Sequence, residues 1–126
     1  MFFRALTFNQ NIGNWDVSNV ISMDSMFLRA RSFNQNIGNW NVSNVTDTKF
    51  MFLGAIKFNQ DIGNWNVNNV KTMERMFCDA ISFNQNISEW RISKDCSTED
   101  MFEGTINYKF SKPSNKLYLL HLNKRS

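Results

Sequence analysis

The chain repeats itself every 25 residues, with no insertion or deletion over its first 100 positions. Numbered within each row, position 15 is always Trp, position 10 is always Gln and position 1 is always Met. The tryptophans are Trp15, Trp40, Trp65 and Trp90. A 25-residue unit buries too little apolar surface to fold by itself, so its copies must stack and place identical positions in columns.

Two periodicities alternate within one row. Between residues 18 and 30, apolar residues such as Val20, Met23 and Phe27 recur three or four apart, which predicts one face of a short helix. Residues 8–17 alternate between apolar and polar around a Gly-Asn bend, which predicts one or two very short strands pairing in parallel between copies. The sequence therefore predicts an α/β repeat solenoid of 25-residue coils, each with short parallel strands, a bend and a short helix.

An Asn-Gln pair follows the second phenylalanine of all four rows, as at Asn9 and Gln10. Two interpretations are open. The pairs form a polar binding surface, or the stacked amides hydrogen-bond from coil to coil and satisfy the bends. The second is favoured, because a ligand surface does not need one identical residue at every level.

The charge of the chain is unevenly distributed. Residues 1–103 carry nine Lys/Arg and eleven Asp/Glu, whereas the remaining residues carry five cations and no acid. The net charge of +3 therefore comes from the tail, and no nucleic-acid partner is expected. No apolar run is long enough for a transmembrane segment. The start is interrupted by Arg4 and does not have the pattern of a signal peptide.

The row F-N-Q-x-I-x-x-W-x-V-S-N-V-x-x-M-x-x-M-F-x-x-A resembles the bacterial surface-protein repeat of about 25 residues. That repeat is grouped with BspA-like leucine-rich-repeat proteins and with a domain of unknown function abundant in mycoplasma lipoproteins. The resemblance covers residues 1 to about 105. It implies a leucine-rich-repeat-like fold displayed at the cell surface or secreted, with a role in adhesion. The family offers no catalytic motif to transfer.

One set of apolar residues lies away from the predicted helix face, at position 3 and beside it. If the helix continues through position 5, these side chains form an exposed strip that contacts a protein partner. If the helix ends one turn earlier, they turn into the core, and the sequence does not decide between the two. The strip consists of Phe3, Leu28, Phe50 and Leu53.

The residue types needed for chemistry are scarce. Cys78 and Cys96 are 18 residues apart, and their spacing demands neither a disulfide nor a metal site. His121 is the only histidine and has no adjacent nucleophile or carboxylate pattern. We therefore predict no catalytic residue, no cofactor and no metal ligand, and expect that the chain is not an enzyme.

The repeat fades after the start of a fifth row. We predict a solenoid over residues 1–105 and a basic C-terminal cap or tail over 106–126. The function favoured by this organisation is a non-enzymatic protein–protein interaction or adhesion module. The alternative is a structural or assembly protein whose open solenoid ends associate with one another.

Overall fold

A computed structural model of the chain describes residues 2–113. These residues contain no helix, and their β pairing is a series of isolated parallel bridges joining Ser22, Asp47, Thr72 and Ser97 in turn. The backbone is otherwise built from turns and irregular segments. The α/β repeat solenoid predicted from the sequence, with a helix and parallel strands in every coil, is therefore wrong. So is the leucine-rich-repeat-like fold that the family resemblance implies.

Left-handed backbone conformations prevent the predicted helix over residues 18–30. Ser25 has a φ of 59° and Arg29 a φ of 56°, and a right-handed helix cannot pass through residues in that conformation. The local hydrogen bonds are also one residue too short, since the Met26 amide donates to the Met23 carbonyl three residues back. The apolar spacing that resembles a helix face arises instead from successive turns.

The left-handed residues recur at positions 25 and 4 of the coils. Every described residue at these positions has a positive φ, between 51° and 75°. They are Arg4, Ser25, Arg29, Phe50, Gly54, Arg75, Asp79, Asp100 and Gly104. Side chains other than glycine and asparagine rarely adopt this conformation, so the repeated stack imposes it on residues that do not favour it.

Amides that are not used within the turns connect one coil to the next. The Phe27 amide donates to the Met51 carbonyl at 2.9 Å, and the Arg29 amide to the Leu53 carbonyl at 2.7 Å. This backbone ladder lies in the segment predicted as a helix. In the segment predicted as strands, residues 8–17, side chains join neighbouring coils instead.

Stacked side-chain columns fill the interior of the coils. Two phenylalanine columns run side by side, with neighbouring rings 5.5–6.0 Å apart along each column and nearly parallel within Phe27–Phe52 and Phe58–Phe83. Tryptophan, isoleucine, valine and alanine columns complete the core. Within the described residues, every buried side-chain nitrogen or oxygen has a hydrogen-bond partner.

The Asn-Gln pairs form the ladder that the sequence favoured. Asn59 Oδ1 accepts from the Asn84 amide at 2.9 Å and from Gln85 Nε2 at 3.0 Å, and the same set of bonds begins at Asn9 and Asn34. The structural interpretation of these pairs is confirmed, because the amides stabilise the contact between coils.

The predicted division between residues 1–105 and 106–126 is not tested by the structure. Within its described part, Lys109 still donates its amide to Asn84 Oδ1 at 2.9 Å, and Tyr108 stacks on Phe83. Residues 114–126, which hold most of the predicted cap and His121, lie outside the described residues.

Candidate interaction face

The four residues predicted to form a partner-facing strip differ in exposure. Phe3 is 52% exposed, whereas Leu28, Phe50 and Leu53 are partly buried. Phe3, Leu28 and Leu53 share position 3, directly before the left-handed residue at position 4. Leu53 lines a groove on the side of the stack, but Phe50 does not line it. That the strip contacts a partner stays a prediction.

A second apolar column, at position 6, was not singled out from the sequence. Leu6 is 51% exposed, Ile81 37% and Ile106 70%, and Ile56 is partly buried. The column follows the tight turns between positions 2 and 8, which direct position 5 into the core and leave position 6 outside. The signal that could have found it is that four of the five rows carry Leu or Ile at a position next to polar residues.

Positions 3, 4 and 6 together form one surface, which we call the side face. Its central groove has a volume of about 400 Å³. Leucine and isoleucine line the groove beside two arginines and one aspartate. The lining residues are Arg29, Arg31, Leu53, Gly54, Ile56, Asp79 and Ile81.

Gly54 makes room in the floor of this groove. A Cβ atom built on Gly54 would lie 3.1 Å from Cγ of Arg29, so the Arg29 side chain passes close over the glycine of the next coil. The φ of Gly54, +68°, also favours glycine there. Gly104 repeats the arrangement two coils later, where it lies against the Asp79 side chain.

The two groove arginines are exposed and form no ion pair with any residue that the structure describes. The ion pairs found in residues 2–113 lie elsewhere, between Lys49 and Asp24 at 3.8 Å and between Arg75 and Asp100 at 3.6 Å. Exposed pairs of this kind contribute little to stability. The guanidinium groups of Arg29 and Arg31 therefore remain available to an external acceptor.

The end of the stack nearest the N-terminus exposes the interior columns. Trp15 is 43% exposed, whereas Trp90 in the same column is 1% exposed. A cavity of about 420 Å³ opens there beside Trp15, Val17, Met23 and Met26. A side chain of another coil would be buried by entering this cavity.

The cysteines do not form a reactive pair. Both are free, in agreement with the unpaired state favoured by the sequence. Burial raises the pKa of Cys96 to about 11, and burial with the nearby Asp79 carboxylate raises the pKa of Cys78. Both thiols therefore stay protonated near neutral pH, which opposes nucleophilic chemistry.

A shifted turn brings Cys96 into contact with the core. In the second and third coils the corresponding turn closes on Val45 and Val70, whereas in the fourth it closes one residue later, with the Cys96 amide donating to Ser93. Cys96 thus replaces a valine of the column and packs against the core.

Metal-binding and membrane-spanning features were also sought in residues 2–113. No group of three or more His, Cys, Asp or Glu in this part of the chain is arranged to hold a metal ion. The same residues include no helix of the length and apolar character that crossing a membrane requires. The predictions that the chain is not an enzyme and needs no cofactor stay predictions.

Comparison with known families gives one finding. The family model described as "Mycoplasma protein of unknown function, DUF285" matches residues 1–115. This match supports the mycoplasma-type repeat, but it does not extend to BspA-like or leucine-rich-repeat proteins. Comparison with curated proteins and with solved structures gives no match.

Proposed function

The chain belongs to the DUF285 family of mycoplasma proteins of unknown function, and we propose that it is a non-enzymatic protein–protein interaction module used in adhesion. The observation that carries the proposal is the side face, where Leu6, Ile81 and Ile106 are exposed. Exposed apolar surface of this kind, bordered by charged groups, is typical of interaction sites. The BspA-like surface-protein assignment belongs to the same proposal.

The remaining surface supports binding rather than chemistry. The Asn-Gln ladder uses its amides between coils, and the thiol of Cys96 has a raised pKa. A stack of coils offers a broad, regular surface on a rigid frame, which suits recognition of a large partner. The positions that differ most between copies, including positions 3, 4 and 6, lie on that surface and adapt it to one partner.

The proposal is tested by measuring binding of the full chain to a panel of purified extracellular-matrix and serum proteins with biolayer interferometry. We expect at least one partner whose binding is lost in the double variant Ile56→Asp and Ile81→Asp. The matched control, Asn39→Asp and Asn64→Asp, changes two exposed positions of the same two coil levels away from the side face. Binding that is absent throughout, or that both double variants weaken equally, would contradict the proposal.

A second candidate function is assembly through the ends of the stack. The exposure of Trp15, compared with the buried tryptophans below it, favours this function. Sedimentation velocity over a hundredfold concentration range tests it. Concentration-dependent oligomers that disappear in Trp15→Glu support assembly, and a monomer at all concentrations opposes it.

A further inference from the structure

We propose that the groove of the side face binds an extended protein segment in which carboxylate side chains lie next to an aliphatic residue. The inference rests on the proposed interaction function and names the chemistry of its partner. Two unpaired arginines at one end of the groove, an aliphatic floor and a single carboxylate at the other end define that chemistry.

The arginines supply the first element of recognition. Arg29 and Arg31 occupy positions 4 and 6 of the same coil, and both border the groove. A guanidinium group binds a carboxylate through two parallel hydrogen bonds, with more geometric specificity than an ammonium group provides. Because neither arginine forms an ion pair within residues 2–113, a partner's carboxylate displaces no internal acid when it binds.

The floor supplies the second element. Leu53, Ile56 and Ile81 line the groove between the charged ends, and Ile81 is 37% exposed. An aliphatic side chain of the partner would cover these three residues and remove their surfaces from water. The groove volume of about 400 Å³ accommodates a small number of side chains rather than a folded element.

The length of the groove fits an extended segment. Arg29 and Asp79 occupy the same coil position two coils apart, and each coil step measures 5.5 Å in the Phe27–Phe52–Phe77 column. Two such steps correspond to about three extended residues. A segment with its acid at the arginine end thus places an aliphatic residue over Ile56 and a neutral or basic residue beside Asp79.

The carboxylate at the far end opposes a polyanionic partner. Asp79 lines the groove, and the exposed Glu103 occupies the next coil, where its carbonyl accepts from the Asp79 amide at 2.8 Å. An anionic membrane surface or a nucleic acid would meet these acids as well as the arginines. A segment carrying its charge at one end avoids that repulsion.

The experiment selects peptides from a random dodecamer phage library on the immobilised full chain and measures affinities of the selected peptides by fluorescence polarisation. We expect an acid two or three residues from an aliphatic residue in most selected peptides. Affinity should fall at least tenfold in Arg29→Glu with Arg31→Glu. The control Lys49→Glu changes an exposed cation that already pairs with Asp24 and should alter affinity less than twofold.

The variants separate the inference from the function on which it rests. Loss of binding in Ile56→Asp with Ile81→Asp but not in the arginine variant would overturn the inference and leave the interaction function intact. Retention in both would overturn both. Vesicles of phosphatidylcholine with 30% phosphatidylserine serve as a second probe. Arginine-dependent binding to vesicles, with no selected peptide bound, would overturn the inference in favour of a membrane. Unchanged thermal melting of each variant establishes that it is folded.

Discussion

Replacing Gly38 by alanine tests whether neighbouring coils pack backbone against backbone. A Cβ atom built on Gly38 would lie 2.5 Å from the carbonyl oxygen of Asp61 in the next coil. Ordinary carbon–oxygen contacts begin at about 3.3 Å, so roughly 0.8 Å of overlap must be relieved. The obstructing atom is backbone, and it cannot rotate away as a side chain would.

The magnitude follows from two opposing effects. Overpacking in a well-packed structure costs about 1–3 kcal/mol. Alanine also restricts the unfolded chain, which stabilises the fold by about 0.4–1 kcal/mol where the backbone conformation is compatible. No positive φ is found at Gly38, so the steric effect decides the sign. We expect a net loss of about 1–2 kcal/mol in the free energy of unfolding.

Urea unfolding followed by tryptophan fluorescence measures this change, with an unchanged m-value showing that the folded state keeps its extent. Ser88→Ala is the matched control, because Ser88 occupies the same coil position in the fourth coil and already carries a Cβ. Its loss of the exposed bond from Ser88 Oγ to Asn86 Oδ1 should change stability by less than about 0.5 kcal/mol. A Gly38→Ala variant as stable as the wild type would refute the close backbone contact.

Three further predictions concern the interior columns and the thiol packed against them. Trp65→Phe removes a buried Nε1–H donor that bonds to a carbonyl at 3.0 Å and should lower the free energy of unfolding by about 1–3 kcal/mol in urea titrations; Trp15→Phe, at the exposed end, should lower it by less than about 0.5 kcal/mol. Asn59→Ala removes an acceptor from two donors and should cost about 1–2 kcal/mol, whereas exposed Asn64→Ala should leave the melting temperature unchanged. Because the pKa of Cys96 is raised from 9.0 to about 11, its stabilising contribution is complete below pH 9 and is lost as pH rises towards 11. Cys96→Ser should remove that part of the pH dependence, and an identical stability profile in this variant would contradict it.

The stacking of the copies could be predicted from the sequence because it depends only on the repeat. An identical residue every 25 positions places Trp40 above Trp65 and Asn34 above Asn59 whatever the backbone does within a coil. The columns and the amide ladder therefore follow from the spacing alone. Their hydrogen bonds, such as that from Trp65 Nε1 to Ile37, satisfy backbone carbonyls that the columns bury.

The path of the backbone within a coil could not be predicted. Successive turns place apolar residues three and four apart, as a helix does, so the pattern does not separate the two. The decisive residues are left-handed, yet at these positions the sequence has Ser25, Arg29 and Phe50, which do not favour that conformation. Only Gly54 and Gly104 carried the signal. Backbone hydrogen bonds to the neighbouring coil compensate for the strain elsewhere.

The same left-handed residues determine where the candidate site lies. Had residues 18–30 formed a helix, position 3 would face away from its apolar side, as the sequence-based strip assumed. The left-handed residue at position 4 instead brings positions 3, 4 and 6 onto one surface, which adds Ile56 and Ile81 to Leu53. Without this turn the arginine pair and the aliphatic floor would not share a groove.

The central claim is that turns with left-handed residues at positions 25 and 4 build every coil and so form the side face. Nuclear magnetic resonance of the isotope-labelled chain tests it most directly, through the nuclear Overhauser effect between amide and Hα protons of the same residue. The structure predicts strong intraresidue effects at Ser25, Arg29, Phe50 and Arg75, the signature of a positive φ. Weak effects at these residues, together with helical ¹³Cα shifts throughout residues 19–30, would contradict it.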